Sequence, residues 1–135
     1  MDSLITTDSF LGFLSYFGIG VAVLVAAVVL VAMITPHREF RLIRDGNTAA
    51  ATAFAGTLIG LALPLHSAII HSVSLLDALL WGGVSAVIQV AAYLVTRAVA
   101  PKLSQQITDN VVAAGIFSAG VAISVGLINA AAMTP

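Results

Sequence analysis

The sequence predicts an all-α integral membrane protein: four long helices, arranged as two tandem hairpins of the same, parallel topology. Three observations predict it. The chain holds four windows free of Lys, Arg, Asp and Glu, at about 10–34, 48–70, 78–96 and 110–133. Each is close to the ~20 residues that a helix needs to cross ~30 Å of hydrocarbon. All five basic residues, Arg38, Arg41, Arg44, Arg97 and Lys102, fall in two polar connections, 35–47 and 97–109. Finally, the chain aligns with itself at an offset of 64 residues.

Composition points the same way. Of 135 residues, 60% are apolar and 8% charged, with a mean hydropathy of +1.11, whereas a soluble domain carries about 25% charged residues. Four spans leave no room for a soluble domain, so 1–135 reads as one membrane domain. A net charge of −1 argues against a nucleic-acid surface. The absence of cysteine excludes disulfides, thiolate nucleophiles and Cys-ligated metals.

The first window follows Asp2 and Asp8 without a basic residue, the wrong sign for a cleaved signal peptide, so it is expected to remain as a helix. Phe10, Phe13 and Phe17 mark its outer interface. The second window opens after Asp45 and Asn47, placed to cap the unpaired first-turn amides. It carries Gly56-x-x-x-Gly60, a spacing that lets helices approach closely in lipid. Further on, Pro64 removes a hydrogen bond to the Gly60 carbonyl. A turn near 73–77 leads to the third window, with Trp81 at its outer end, Gln89 near its middle and Tyr93 toward the inner side. Asp109 stands before the fourth window, which carries Gly120-x-x-x-Ser124.

The repeat pairs 9–71 with 73–135 without a gap, and 16 of 63 positions are identical, against roughly one in ten expected from so biased a composition. The matches Asp45/Asp109, Ala49/Ala113, Gly56/Gly120, Ile59/Ile123 and Leu63/Leu127 lie on one face at about 100° per residue. Helices two and four are therefore expected to meet near a pseudo-twofold axis, with Gly56, Gly60, Gly120 and Ser124 as packing residues. Basic residues are retained in the cytoplasm, which sets both polar connections inside and both termini outside, in the periplasm.

The stretch 42–65, LIRDGNTAAATAFAGTLIGLALPL, resembles the signature of the YjfL-like bacterial inner-membrane family, the domain of unknown function 350. The Asp-Gly-Asn-Thr-Ala-Ala opening, the Gly-Leu-Ala-Leu-Pro segment and the doubled hairpin all fit that family over nearly the whole chain. The resemblance implies a small multi-pass protein of the bacterial cytoplasmic membrane. It implies no catalytic residues.

Polar side chains at membrane depth are costly unless paired or wet, which makes His66, Gln89 and Thr52 the candidates for a polar pathway. His66 and His71 point about 140° apart on a helix, so no metal site is expected. No cofactor is called for. Two functions follow. The favoured one is a self-assembling module with an envelope-related or interaction role. It would pack as a homo-oligomer through its glycine faces, with Arg38, Arg41 and Arg44 set for anionic lipid or a cytoplasmic protein. The alternative is a small oligomeric channel or carrier for an ion or small solute. An enzyme is not expected, because no nucleophile-and-base or metal motif is present. The first hairpin keeps most of the basic residues together with Pro64, His66 and His71, and is the half in which function is expected.

Overall fold

A computed structural model describes residues 6–35 and 39–133. The described residues form six helices: α1 (Thr7–Ile34), α2 (Glu39–Arg44), α3 (Thr48–Ile70), α4 (Leu75–Val99), α5 (Leu103–Thr108) and α6 (Val112–Ala132). Four of them, α1, α3, α4 and α6, are long and apolar enough to cross a membrane. The short helices α2 and α5 fold within the two polar connections, which the sequence reading left without structure.

Local chemistry fixes the ends. Thr6 caps α1, its Oγ1 accepting from the Ser9 N–H at 3.1 Å. Ser74 caps α4 in the same way through the Asp77 N–H at 3.1 Å, while Asp77 Oδ2 accepts from the Val73 N–H at 3.0 Å. With both Asp77 satisfied and Arg97 supplied with a partner, α4 extends past its uncharged window at both ends. Arg97 therefore lies in the last turn of α4 instead of in a loop.

Interhelix contacts define the topology. Helices α3 and α6 lie side by side and parallel: Ala49 meets Gly115, Gly56 meets Ala119, and Gly60 meets Ala122 and Gly126. Ser67 Oγ donates to the Ala130 carbonyl at 2.8 Å at the far end of the same pair. Helix α1 runs parallel to α4, with Val23 near Gly82 and the Arg97 guanidinium on the Ile34 carbonyl at 2.8 Å. The two pairs are mutually antiparallel, since Gly20 meets Ile69 and Gln89 reaches Ala122. The bundle thus has a loop end, with α2 and α5, and a turn end, with the α3–α4 connection.

Helix α3 is the central one. Its small residues Ala49, Ala50, Ala53, Gly56, Gly60 and Ala68 are buried, and a methyl group added at Gly56 would overlap the backbone of Ala119. Around this center the large apolar side chains point outward, among them Phe13, Phe17, Leu80, Trp81 and Ile128. Lipid replaces water as their solvent.

Features of the two halves recur 64 positions apart. Helices α2 and α5 start at 39 and 103, α3 and α6 at 48 and 112, and the left-handed residues are Gly46 (φ 86°) and Asn110 (φ 58°). The contact between α3 and α6, however, departs from the expected twofold. On the matched face Ala49 and Gly56 of α3 are buried, but their α6 partners Ala113 and Gly120 are exposed, and Leu127 is exposed where Leu63 is half-buried. The cause is steric. Where α3 has buried Ala53, α6 has Phe117, which is too large for the contact and faces out, so α6 turns Gly115, Ala119 and Gly126 inward.

Candidate functional site

Helix α4 brings polar side chains into the bundle at helical spacing. Ser85, Gln89, Tyr93 and Arg97 recur every fourth residue, which places them along one face. Ser85 is buried and donates to the Gly82 carbonyl at 2.8 Å. Its own carbonyl accepts from Asn129 Nδ2 of α6 at 3.1 Å. One turn nearer the loop end, Gln89 Nε2 donates to the Ala122 carbonyl at 2.8 Å. The Tyr93 hydroxyl is hydrogen-bonded to the side chain of Thr35, whose own hydroxyl donates to the Val31 carbonyl at 2.6 Å.

Two small cavities follow this face. One, of about 30 Å³, is lined by Thr57, Leu61, Gln89, Tyr93, Thr96 and Ser118, among others. The other, of about 20 Å³, lies toward the loop end between Glu39, Arg97 and Ser104 and shares Thr57, Tyr93, Thr96 and Ser118 with the first. Together they form a polar seam from the loop end to the middle of the bundle. Gln89 is 6% exposed, and its Oε1 is buried without a hydrogen-bond partner among the described residues. An amide oxygen left so costs about 1–3 kcal/mol.

The residues singled out in the sequence divide sharply. Gly56 and Gly60 lie in the α3–α6 contact, whereas Gly120 and Ser124 are exposed, with Ser124 Oγ donating to the Gly120 carbonyl at 2.7 Å. Of the proposed pathway, only Gln89 is inside. His66 is exposed, and Thr52 is half-buried with its hydroxyl on the Thr48 carbonyl at 2.8 Å. Thr57, five residues further on, lines the cavities instead.

At the loop end, Asn47 alone of the three expected caps does that work. Its Oδ1 accepts from the Ala50 N–H at 2.8 Å, and its Nδ2 donates to the Ile107 and Thr108 carbonyls at 2.9 and 3.2 Å. Asp45 and Asp109 are exposed, and Asp109 Oδ1 accepts from Gln105 Nε2 at 3.0 Å. The second cap on α3 comes from Asn110, whose Oδ1 accepts from the Ala49 N–H at 3.0 Å. Arg41 and Arg44 are exposed, and Arg38 lies outside the described residues. Tyr93 entered the sequence reading only as an interface aromatic. Asn110, Asn129, Ser85, Thr57 and Ser118 escaped it; the fourfold spacing of Ser85, Gln89 and Tyr93 is the signal that could have found part of the seam.

Four helices long and apolar enough to span a bilayer define a multi-pass membrane protein. Residues 4–133 match the family described as Domain of Unknown Function (DUF350), and the chain belongs to that family. It is 45% identical over 127 residues to the UPF0719 inner membrane protein YjfL of Escherichia coli (strain K12), covering 94% of this chain and 96% of that protein. The YjfL protein of Escherichia coli O157:H7 matches to the same extent. The UPF0719 transmembrane protein YshE of Bacillus subtilis (strain 168) is 30% identical over 115 residues, 84% of each chain. No solved structure gives a significant match.

Proposed function

We propose that this protein is a bacterial inner-membrane carrier or narrow channel for an ion or small solute, working through the polar seam and not as an enzyme. The observation that carries this reading is Gln89, which lines a water-sized cavity near mid-membrane and whose buried amide oxygen has no partner among the described residues. Polar groups at that depth mark substrate paths more often than they mark packing alone when their bonding is incomplete. The names of the relatives support an inner-membrane location. Exposed Arg41, Arg44 and Lys102 at the loop end support a cytoplasmic position for it, with both termini in the periplasm. The 64-residue spacing of helices and left-handed residues supports descent from a doubled hairpin.

The self-assembling module is the second reading, and one observation favours it. Gly120 and Ser124 form a small-residue pair on the outside of α6, where a second copy could approach. The same geometry weakens its first basis, since Gly56 and Gly60 are occupied within the chain. Arg41 and Arg44 would serve anionic lipid or a cytoplasmic partner under either reading.

Purified protein in liposomes under Na⁺, K⁺ and H⁺ gradients separates the two. Flux that disappears in Gln89→Leu supports the pathway. Silence across all three gradients in correctly folded protein transfers the assignment to the module.

A further inference from the structure

We propose that the cavity beside Gln89 binds one dehydrated monovalent cation, held by uncharged oxygen atoms alone. Three of the polar side chains around it have already committed their donors. Gln89 Nε2 donates to the Ala122 carbonyl, Thr57 Oγ1 to the Ala53 carbonyl at 3.2 Å and Thr96 Oγ1 to the Ala92 carbonyl at 2.9 Å. A hydroxyl that gives its proton to its own helix keeps only lone pairs for its surroundings. With Gln89 Oε1 also unpartnered, the free capacity of these three side chains is all acceptor, which suits a cation better than an anion.

Size and charge narrow the ligand. A volume of about 30 Å³ takes about one or two water-sized objects, hence a bare alkali ion and not a hydrated one. Among the described residues no carboxylate lines this cavity, whereas divalent ions are held by carboxylates. The chain lacks the Cys thiolates that select soft metals. Access runs from the loop end through the adjoining cavity, where Glu39 supplies the acid and the Arg97 guanidinium is turned onto the Ile34 carbonyl. On the turn side, the close contact of Gly60 with Ala122 and Gly126 and the Asn129 to Ser85 bond close the seam. The site therefore loads from one side. This inference rests on the pathway reading only in treating the cavity as the working site.

The test is equilibrium binding to detergent-purified full-length protein, read as thermal stability in NaCl, KCl and choline chloride at equal ionic strength. Wild type is expected to show a saturable rise in Tm with Na⁺ or K⁺ and none with choline. Thr57→Val, which keeps the shape and removes one oxygen, is expected to weaken the response by about tenfold. Gln89→Glu, which adds charge, is expected to strengthen it by about tenfold and to admit Ca²⁺. Equal responses to Na⁺, K⁺ and choline in wild type and Gln89→Glu would overturn the site and leave the cavity to water. Flux in liposomes without ion-specific binding overturns the site and keeps the pathway, while binding without flux keeps the site and overturns the pathway.

Discussion

Helices α1 and α4 occupy equivalent places in the two hairpins, and residue by residue they are opposites. Ser85, Gln89, Tyr93 and Arg97 of α4 stand 64 positions after Val21, Val25, Val29 and Met33 of α1. The first set turns inward, with Ser85 at 1% and Gln89 at 6% exposure; the second faces out, with Val25 at 54% and Met33 at 77%. Positions 64 residues apart thus carry an outward apolar stripe on α1 and an inward polar face on α4. Helices α3 and α6 differ at matched positions too, since Gly56 is buried while Gly120 is exposed and α6 buries Gly115 and Gly126 instead. Similar helix placement does not require similar side chains, and the buried polar groups gather on the face that α4 turns toward α6.

The contrast is most easily broken at the glycines. Gly56→Val should destabilise the bundle by about 3 kcal/mol, because a branched side chain meets backbone there. Its counterpart Gly120→Val should change the unfolding free energy by about 0.5 kcal/mol or less, having open space around it. Thermal or denaturant unfolding in detergent checks both, and equal losses would restore the twofold contact. Next come the helix starts. Asn47→Ala should cost about 2 kcal/mol through a lost cap and two lost carbonyl bonds. Val111→Ala, at the equivalent position without a side-chain cap, should leave stability within about 0.5 kcal/mol.

Gln89→Val copies the α1 residue into α4. Stability should fall by about 1 kcal/mol or less, the worth of one interhelical hydrogen bond in a membrane, while liposome flux should vanish. Retained flux would detach the seam from transport. The smallest effect is expected at His66→Ala. The side chain is exposed, so both stability, within about 0.5 kcal/mol, and flux should match wild type.

Much of this fold is legible in the chain because lipid enforces a simple rule. A span must be long, apolar and hydrogen-bonded within itself, and all four uncharged windows become helices. The ends are less legible. Nothing in an uncharged window announces that Arg97 will find the Ile34 carbonyl and prolong α4 by a turn. Helices α2 and α5 are too short to display an apolar period. Gln89 stood out as a lone amide in a hydrophobic run, but Thr57 and Ser118 resemble every other small hydroxyl residue. Which of them meet depends on how α6 rolls against α3, and Phe117 decides that through packing. Asn110 was hidden for a related reason: the helix it caps begins 62 residues earlier, at Thr48.

That exchange at the loop end has a mechanical consequence. Asn47, at the head of α3, grips the last carbonyls of α5, while Asn110, just beyond α5, grips the first turn of α3. Each hairpin holds the other, as two hooks do. The latch fixes the spacing of the two hairpins at the end where the seam opens, while the α3–α4 connection and the Ser67 bond to the Ala130 carbonyl tie them at the other.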